Sequence, residues 1–406
     1  MSPAVASHIP ISERIAPATF SEVAAVVRQC YDSATPVYPL GGETSLTFGL
    51  PVKAPGIGLS TTALTRVIDF PARDMTITVE AGITIKELND VAAKEGLQFP
   101  VDVPLPDRAT LGGVIATNWN GPRRYGYGLV RDYVIGIHAV DGTGQEFKGG
   151  GRVVKNVAGY DFCKLLTGSM GTLGVITEVT LKLKPIAESR AWLLAPLPSM
   201  PTADERLAEL VNFPAVPSSV SLLMGPHSSG LASFHAGTGP TLAIGFEGAK
   251  LDVEWSLVEL SKKFPNAKIE RDGYLDLLNQ LANFPADEKS PLIIRAALTP
   301  SGVRPFMEAA IQIDTKAIIL AHAGSGIVYV KFSEFPGGGL SKSLVGNLHG
   351  VAQRYHGNVV ILSNPSGAEM THQATYGGEA NWNLMRDVKR KFDPKNILNP
   401  GRLFST

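Results

Sequence analysis

The chain has 406 residues, 44% of them hydrophobic and 18% charged, a composition ordinary for a soluble globular protein and a length that suggests two or three domains. Lys plus Arg and Asp plus Glu are equal at 37 each, so no basic excess points to nucleic acid or to an anionic membrane surface. The N-terminus lacks the pattern of a signal peptide and no stretch approaches the roughly 18 apolar residues of a membrane span, so we expect a cytoplasmic protein that meets a membrane only through partner subunits.

Short strands and a few helices are predicted over about the first 185 residues. A helix is expected at 19–32, where Val23, Val26, Val27 and Cys30 fall on one face and Ser21 can cap the start. Strands are predicted at 37–40, 57–60, 67–70, 74–80, 133–140 and 174–183, with a second helix at 84–95. This order indicates an α+β domain rather than strict βαβ alternation.

The proline-containing stretch 195–201 marks a domain boundary. Around and beyond it, strands are predicted at 191–194, 219–224, 241–246 and 292–298, helices at 203–211, 251–263 and 382–392, and the segments 318–321, 326–332 and 340–355 continue the alternation. The pattern predicts an antiparallel sheet with helices on one face. We therefore expect two domains, 1–190 and 191–380, and a C-terminal helix and tail, 381–406, that pack back on the first domain.

Four glycine-centred segments carry the chemical signal. They are 39–45, 107–118, 121–133 and 168–176. In the first, Gly41 and Gly42 free the backbone after a short apolar strand, and the residues that follow add N–H groups and hydroxyls on a tight curve that can form an anion-binding nest. No segment is a Rossmann or Walker A loop, and any one of them alone is better explained as an ordinary turn. Four in order within one domain favour a ligand site.

The order PxGGxTS, TLGGxIATN, GPRRYG with VRDYV, and GSxGTLGVITEVTLKL resembles the FAD-binding domain of the vanillyl-alcohol oxidase/PCMH flavoproteins, over roughly residues 17–190. The segments Lys155–Asp161 and Phe392–Arg402 are similar to those of the FAD-binding subunits of glycolate oxidase complexes and, more broadly, of the D-2-hydroxy-acid dehydrogenases. The resemblance implies a PCMH-type FAD-binding domain of two α+β subdomains, followed by an α+β cap domain with an antiparallel sheet and helices. In that family FAD lies extended, with its pyrophosphate on the first glycine loop.

Carried over position by position, the resemblance assigns the cofactor contacts. The pyrophosphate loop is Leu40, Gly41, Gly42, Glu43, Thr44 and Ser45. The segment along the flavin and its ribityl chain is Thr110, Leu111, Gly112, Gly113, Ala116, Thr117 and Asn118, and Pro106 and Gly126 are also expected to contact the cofactor. The adenine and ribose side is Gly171, Gly174, Val175 and Ile176, and the returning tail supplies Asn399 and Arg402. Because the loop 39–50 contains no histidine, the FAD is expected to be non-covalent.

The substrate site matches the family less well. The family's HxGDGNxH segment corresponds to 322–328, where the histidine is retained as His322, but Ser325 replaces the acid and the second histidine is absent. The segment 364–370, which corresponds to the family's GEHG, has no histidine. We therefore expect no metal site, because a single imidazole without a nearby carboxylate is a poor metal ligand set. His322 is more readily explained as a packed or capping residue.

Oxidation of a 2-hydroxy acid needs a base for the hydroxyl proton and a cation for the carboxylate. The candidate bases are His235 and His322, and the candidate cations are Arg123, Arg124 and Arg295. Arg123, Arg124 and His322 are the residues we select as catalytic candidates. Asp132 and Asp161 more readily pin loops through backbone hydrogen bonds.

The resemblance implies the FAD-binding subunit of a glycolate oxidase-type complex, acting on a small 2-hydroxy acid such as glycolate. The chain would hold or relay electrons beside a homologous flavoprotein subunit and an iron–sulfur subunit, because Cys30 and Cys163 cannot supply the four thiolates of a cluster. Two alternatives stay open: a self-sufficient FAD-dependent oxidoreductase for a small hydroxy acid, and a structural flavin-binding subunit without turnover.

Overall fold

The computed structural model describes residues 9–151, 159–226, 239–287, 289–377 and 381–404. The chain divides into two compact units. Unit 1 comprises Met1–Asn120, Leu129–Ile186 and Glu379–Thr406, and unit 2 comprises Gly121–Gly128 and Ala187–Gly378. The segment Gly121–Gly128 was expected in the first domain, so its place in unit 2 corrects the expected boundary.

Unit 1 is built on short sheets. Its strands are β1 (Ile11–Ile15), β2 (Val37–Leu40), β3 (Gly56–Ser60), β4 (Val67–Asp69), β5 (Thr76–Glu80), β6 (Leu97–Gln98), β7 (Val134–Val140), β8 (Glu146–Gly150), β9 (Val175–Lys182) and β10 (Lys184–Pro185). A parallel sheet has the order β1-β3-β2, an antiparallel sheet has the order β4-β5-β9-β7-β8, and β6 pairs with β10. The sequence analysis did not predict β1, β6, β8 or β10.

Several helices of unit 1 begin at residues whose side chains satisfy free N–H groups. They are α1 (Phe20–Ser33), α2 (Ile85–Ala93), α3 (Leu111–Thr117), α5 (Val130–Tyr133), α6 (Phe162–Leu166) and α13 (Trp382–Phe392). Thr19, rather than the expected Ser21, caps α1 in a reciprocal capping box with Glu22. Thr84 and Glu87 form the same arrangement at α2. The turn α3 was not predicted, because two glycines in LGGVIAT lower its intrinsic helix propensity.

The C-terminal tail is fastened to unit 1 by a buried charge. Lys389 of α13 pairs with Asp393 and donates to the carbonyl oxygens of Thr172 and Leu398, each at 2.8 Å. Asp393 accepts from the N–H of Leu398 at 2.7 Å. Val37 of β2 then donates to the Ile397 carbonyl oxygen at 2.7 Å. This network directs the tail back alongside the strand that precedes the first glycine loop.

Unit 2 is an eight-stranded antiparallel sheet with helices. Its strands are β11 (Ser189–Pro196), β12 (Ser219–Met224), β13 (Thr241–Gly248), β14 (Lys268–Glu270), β15 (Leu292–Ala297), β16 (Ile318–His322), β17 (Ile327–Phe332) and β18 (Asn358–Ser363), in the order β14-β11-β13-β12-β16-β17-β15-β18. Its helices are α4 (Arg124–Tyr127), α7 (Met200–Val211), α8 (Lys250–Lys263), α9 (Tyr274–Asn283), α10 (Val303–Ile313), a π-helix (Ser341–Leu348), α11 (His349–Arg354) and α12 (His372–Tyr376). The antiparallel sheet was predicted; α9 and α10 were not.

A large hydrophobic core stabilises unit 2. Strand residues such as Leu193, Ile244 and Val330 and helix residues such as Leu260 and Phe306 are fully or almost fully buried in it. The runs of Val, Ile, Leu and Ala in the strands explain why the sheet was predictable from sequence. In the part of the chain that the structure describes, no helix has the length and apolar character needed to span a membrane.

Candidate active site

The first glycine loop presents a run of backbone donors to a cleft in unit 1. Among the residues described by the structure, the N–H groups of Gly41 through Ser45 donate to no protein acceptor. The loop follows β2, whose hydrogen bonds to β3 and to the tail fix where the run begins. Consecutive N–H groups held in this way form an anion site that needs no basic side chain.

Glycine lets this loop lie directly against the segment that opens α3. A Cβ built on Gly42 would overlap the Arg108 carbonyl oxygen and lie 2.5 Å from its carbon. A Cβ built on Gly41 would overlap the Thr110 hydroxyl and lie 3.3 Å from the Thr110 Cβ. The two loops can therefore meet only because these positions carry no side chain.

Other walls of the cleft come from the turn before β9 and from the tail. The Asn399 side chain donates to the Met170 carbonyl oxygen at 2.7 Å, and its N–H donates to the Val37 carbonyl oxygen at 2.9 Å. Arg402 donates to the carbonyl oxygens of Leu46 and Leu50. The cleft is open at its mouth and encloses about 840 Å³, solvent included.

Two polar atoms lining the cleft lack a partner within the protein. The Thr110 hydroxyl oxygen and the Asn399 side-chain oxygen are buried and form no hydrogen bond in the described chain. Buried polar atoms are normally paired, so each is best explained as a contact for a polar ligand. An anion nest, a glycine-lined cleft and these two atoms together fit a phosphate-containing dinucleotide.

A second polar cluster lies in unit 2. Arg124 of α4, Arg295 of β15 and Tyr329 of β17 are close enough that both guanidinium groups affect the pKa of the Tyr329 phenol. Arg295 and Tyr329 are paired across neighbouring strands, and their side chains share a hydrogen bond. Burial lowers the pKa of Arg124, and the like charge of Arg295 lowers it further. In the part of the chain that the structure describes, the Arg124 guanidinium forms no ion pair or hydrogen bond.

His322 lies beside this cluster but is enclosed. The residue is only 2% exposed. Its Nδ1 is 3.2 Å from the Ser221 hydroxyl, and its ring packs edge-on against the Tyr329 ring, with 5.5 Å between the ring centroids. Burial, aided by the charge of Arg124, lowers the pKa of His322 to about 3. This geometry describes a neutral, packed imidazole, and a catalytic role for His322 stays a prediction.

Arg123, the other catalytic candidate, has a structural partner. Its guanidinium contacts both carboxylate oxygens of Glu247, at 3.1 and 3.2 Å, and lies 5.5 Å from the centre of the Tyr127 ring. Tyr127 donates to the same carboxylate at 2.6 Å. The charge of Arg123 is neutralised inside unit 2, where the pair anchors the segment Gly121–Gly128, and a role as the substrate cation stays a prediction. The neighbouring Arg124 is the guanidinium that remains for an anion.

Comparison with known proteins agrees with the cleft. A model described as "FAD binding domain" matches residues 12–150, and one described as "FAD linked oxidases, C-terminal domain" matches residues 367–403. D-lactate dehydrogenase of Archaeoglobus fulgidus is 30% identical over 96% of this chain and 90% of its own length. Glycolate oxidase subunit GlcD of Bacillus subtilis is 26% identical over 96% of this chain and 88% of its own length.

The chain belongs to the PCMH-type FAD-linked oxidase family. Two solved structures share this fold at low identity. Chitooligosaccharide oxidase aligns with a TM-score of 0.69 and 16% identity over 99% of this chain and 94% of its own. An alkyldihydroxyacetonephosphate synthase aligns with a TM-score of 0.67 and 18% identity over 95% of this chain and 75% of its own. As a family member the chain is an FAD-dependent oxidoreductase, and the predicted cofactor and fold class are confirmed.

Most cofactor residues predicted from the family resemblance line the one cleft of unit 1. They are Leu40, Gly41, Gly42, Glu43, Thr44, Ser45, Thr110, Gly112, Gly113, Ala116, Thr117, Gly171, Gly174, Val175, Ile176, Asn399 and Arg402. The loop amides are suited to the FAD pyrophosphate, and Thr110 and Asn399 offer further polar contacts. When bound, FAD supplies the two-electron acceptor that none of the side chains provides.

Four predicted cofactor residues lie elsewhere. Leu111 is fully buried in the core at the start of α3, and Asn118 ends α3 in the left-handed conformation. The Pro106 carbonyl oxygen accepts from the Lys86 N–H at 3.0 Å, so this residue positions α2. Gly126 belongs to unit 2, where its N–H donates to the Ser218 carbonyl oxygen at 3.1 Å and a Cβ would lie 2.8 Å from the Ser218 Cα. In this structure their contacts are in packing and turns, and their contact with the cofactor stays a prediction.

Several lining residues were not predicted from sequence. Ile9, Pro39, Leu46, Thr61 and Met170 also border the cleft. Pro39 and Leu46 flank the predicted loop, so wider limits on that loop would have included them. Thr61 reaches the cleft because β3 pairs with β2, which sequence spacing alone does not reveal.

Two other expectations can be placed only in part. His235 and most of Lys155–Asp161 lie outside the described residues. Asp132 accepts from the Leu129 N–H at 2.8 Å and Asp161 accepts from the Lys164 N–H at 3.0 Å, as expected for carboxylates that fix turns. Among the described residues, no three His, Cys, Asp or Glu side chains are grouped for a metal ion.

Proposed function

We propose that this chain is an FAD-binding subunit of a glycolate oxidase-type complex, with a small 2-hydroxy acid as the substrate of the assembly. The observation that supports this substrate class is the pair of guanidinium groups, Arg124 and Arg295, at the buried Tyr329 phenol. Two close cations without a carboxylate between them are costly unless an anion binds there. A guanidinium pair with a phenol suits a carboxylate, because all three can donate hydrogen bonds to its oxygens.

The same cluster offers little for removing the hydroxyl proton. Burial raises the pKa of Tyr329, so the phenol stays protonated and donates rather than accepts a proton. His322 is enclosed and bonded to Ser221. Among the described residues the cluster therefore binds an anion more readily than it catalyses proton abstraction. This supports a subunit that needs a companion for turnover, in agreement with the relative named as a glycolate oxidase subunit.

The visible spectrum under anaerobic conditions tests whether this chain or its companion subunits oxidise the hydroxy acid. We expect the flavin of the purified, FAD-loaded chain to stay oxidised with glycolate or D-lactate and to be bleached by dithionite. Addition of companion flavoprotein and iron–sulfur subunits should allow glycolate to bleach it. Bleaching of the chain alone by either hydroxy acid would support the second candidate, a self-sufficient dehydrogenase, which the full-length similarity to a D-lactate dehydrogenase favours.

The carboxylate site is tested separately by binding. Arg124→Met and Arg295→Met each remove one charge-assisted hydrogen-bond donor, worth about 1.5–3 kcal/mol, so glycolate affinity should fall at least about tenfold by calorimetry. Arg304→Met is the matched control, because Arg304 lies on α10 and pairs with Glu308 at the surface. Equal glycolate affinity in all three variants would show that the cluster is not the carboxylate site.

Exposed apolar side chains on α8 are consistent with a subunit of an assembly. Leu251, Trp255 and Val258 follow helical spacing and are 83%, 46% and 57% exposed. We assign this stripe to the companion flavoprotein subunit, since apolar surface of this kind usually marks a protein contact. Trp255→Ser should reduce co-purification of the companion, whereas Leu275→Ser, on the exposed side of α9, should not. Unchanged co-purification of the Trp255 variant would remove α8 from the interface.

The FAD is proposed to be non-covalent, because the loop 39–50 contains no histidine or cysteine to attach it. Acid precipitation should release all flavin into the supernatant. Flavin fluorescence that stays with the denatured protein band on a gel would contradict this.

A further inference from the structure

One acidic side chain lies in the anion-binding loop of unit 1. Glu43 is the only Asp or Glu among the described residues that line the cleft. It occupies the middle of the run of free N–H groups, where a negative charge opposes binding of another anion. Its backbone is also in the left-handed region, with φ of 57°, where a non-glycine residue is uncommon. A carboxylate and a strained conformation at this position both require an explanation.

Arg14 of β1 neutralises this carboxylate. Its guanidinium contacts both Glu43 oxygens in a bidentate pair, one contact being 3.2 Å. The Arg14 and Glu43 side chains are 53% and 31% exposed, so salt partly screens the pair. The other guanidinium groups at the loop have different partners. Arg402 donates to two carbonyl oxygens, and Arg108 is 3.4 Å from the Gly42 carbonyl oxygen.

We propose that the Arg14–Glu43 pair sets the affinity of the loop for the FAD pyrophosphate. Arg14 lets a loop that contains a carboxylate accept an anionic group, and Glu43 limits how tightly that group is held. Neither residue takes part in the chemistry, so Arg14 and Glu43 are positioning residues. As a consequence, the FAD is held by protein donors and is still able to dissociate.

A purely mechanical role for the Arg14–Glu43 pair predicts different effects on FAD affinity. If Arg14 only held the loop in shape, loss of either partner would loosen the loop and weaken FAD binding. If charge decides, the two losses have opposite effects. Without Arg14 the loop carries an uncompensated negative charge, and without the Glu43 charge it carries an uncompensated positive one.

The experiment measures FAD affinity of the apoprotein by quenching of flavin fluorescence. Arg14→Gln should weaken binding about three- to tenfold, and Glu43→Gln should strengthen it by a similar factor. The double variant should return close to the parent affinity. Lys86→Gln is the control, because Lys86 forms an exposed ion pair with Asp90 on α2 and should leave FAD affinity unchanged.

Ionic strength gives a second, independent measurement. Added salt should improve FAD binding to Arg14→Gln relative to the parent, because it screens repulsion, and should weaken binding to Glu43→Gln. Weaker binding by both single variants, or no difference from the Lys86 control, would overturn the proposal. If Arg14→Gln does not fold, the Glu43→Gln variant still decides, since glutamine keeps the size and the backbone conformation and removes only the charge.

Discussion

Adding one methyl group at Gly42 should separate the loop from α3 and weaken FAD binding. The Cβ of Gly42→Ala would lie 2.5 Å from the Arg108 carbonyl carbon, which is backbone and cannot rotate away. Overpacking of this kind costs about 1–3 kcal/mol. In the apoprotein the loop can move outward at little cost, so binding of FAD must supply that energy. The expected loss of FAD affinity is about 5- to 150-fold.

Gly41→Ala provides a graded comparison. Its Cβ would meet the Thr110 hydroxyl, which can rotate, and lie 3.3 Å from the Thr110 Cβ. We therefore expect a smaller loss than for Gly42→Ala, and we expect Thr110→Ala to relieve Gly41→Ala but not Gly42→Ala.

FAD titration of each apoprotein, with circular dichroism to confirm folding, measures these effects. Gly350→Ala is the control, because no atom lies within 4 Å of a Cβ built there in α11. Parent-like FAD affinity in a folded Gly42→Ala protein would refute the close approach of loop and helix as the basis of the cofactor site.

Three further predictions concern stability. Lys389→Met leaves Asp393 buried without its cation and should cost about 3–5 kcal/mol in urea unfolding, whereas Lys262→Met, which removes an exposed partner of Glu259, should change little. The folded His322 has a pKa of about 3 against 6.5 for the ordinary residue, so only the unfolded chain takes up its proton between these values. Stability should therefore fall as pH is lowered through this window, and His322→Gln should make unfolding curves less sensitive to pH there. FAD at 100 times its Kd should stabilise the protein by about 2.7 kcal/mol and raise Tm in a calorimetric scan, and an unchanged Tm would contradict binding to the native state.

The cofactor site could be predicted from sequence because it is largely local. Gly41 and Gly42 directly follow a strand, and the nest is made by the backbone of the residues after them, so the motif itself contains the geometry. The alternation of polar and apolar residues in β5 could also be recognised from sequence, because strand periodicity is a property of the segment itself, although the structure buries all five residues. Residues that reach the cleft through pairing of distant segments, such as Thr61, carry no such local pattern.

The polar cluster of unit 2 could not be assembled from sequence in the same way. Arg295 and Tyr329 are neighbours only through the register of β15 with β17. Arg123 and Arg124 are adjacent in sequence, yet Glu247 on β13 neutralises the first and leaves the second near Tyr329. The two arginines could not be distinguished from the sequence, because interaction partners so far apart in the chain cannot be inferred from residue spacing.

This contrast bears on which property of the family can be transferred to this chain. Backbone amides of unit 1 are suited to bind the cofactor through a conformation that many sequences can adopt, so FAD binding tolerates extensive divergence. The anion site that we propose in unit 2 depends on charged side chains from separate elements, and replacement of one of them would change the ligand without changing the fold. Two guanidinium groups beside a protonated phenol can hold a carboxylate, but they do not remove a proton. Substrate preference must therefore be established on Arg124, Arg295 and Tyr329, whereas cofactor affinity must be established on the loop that contains Glu43.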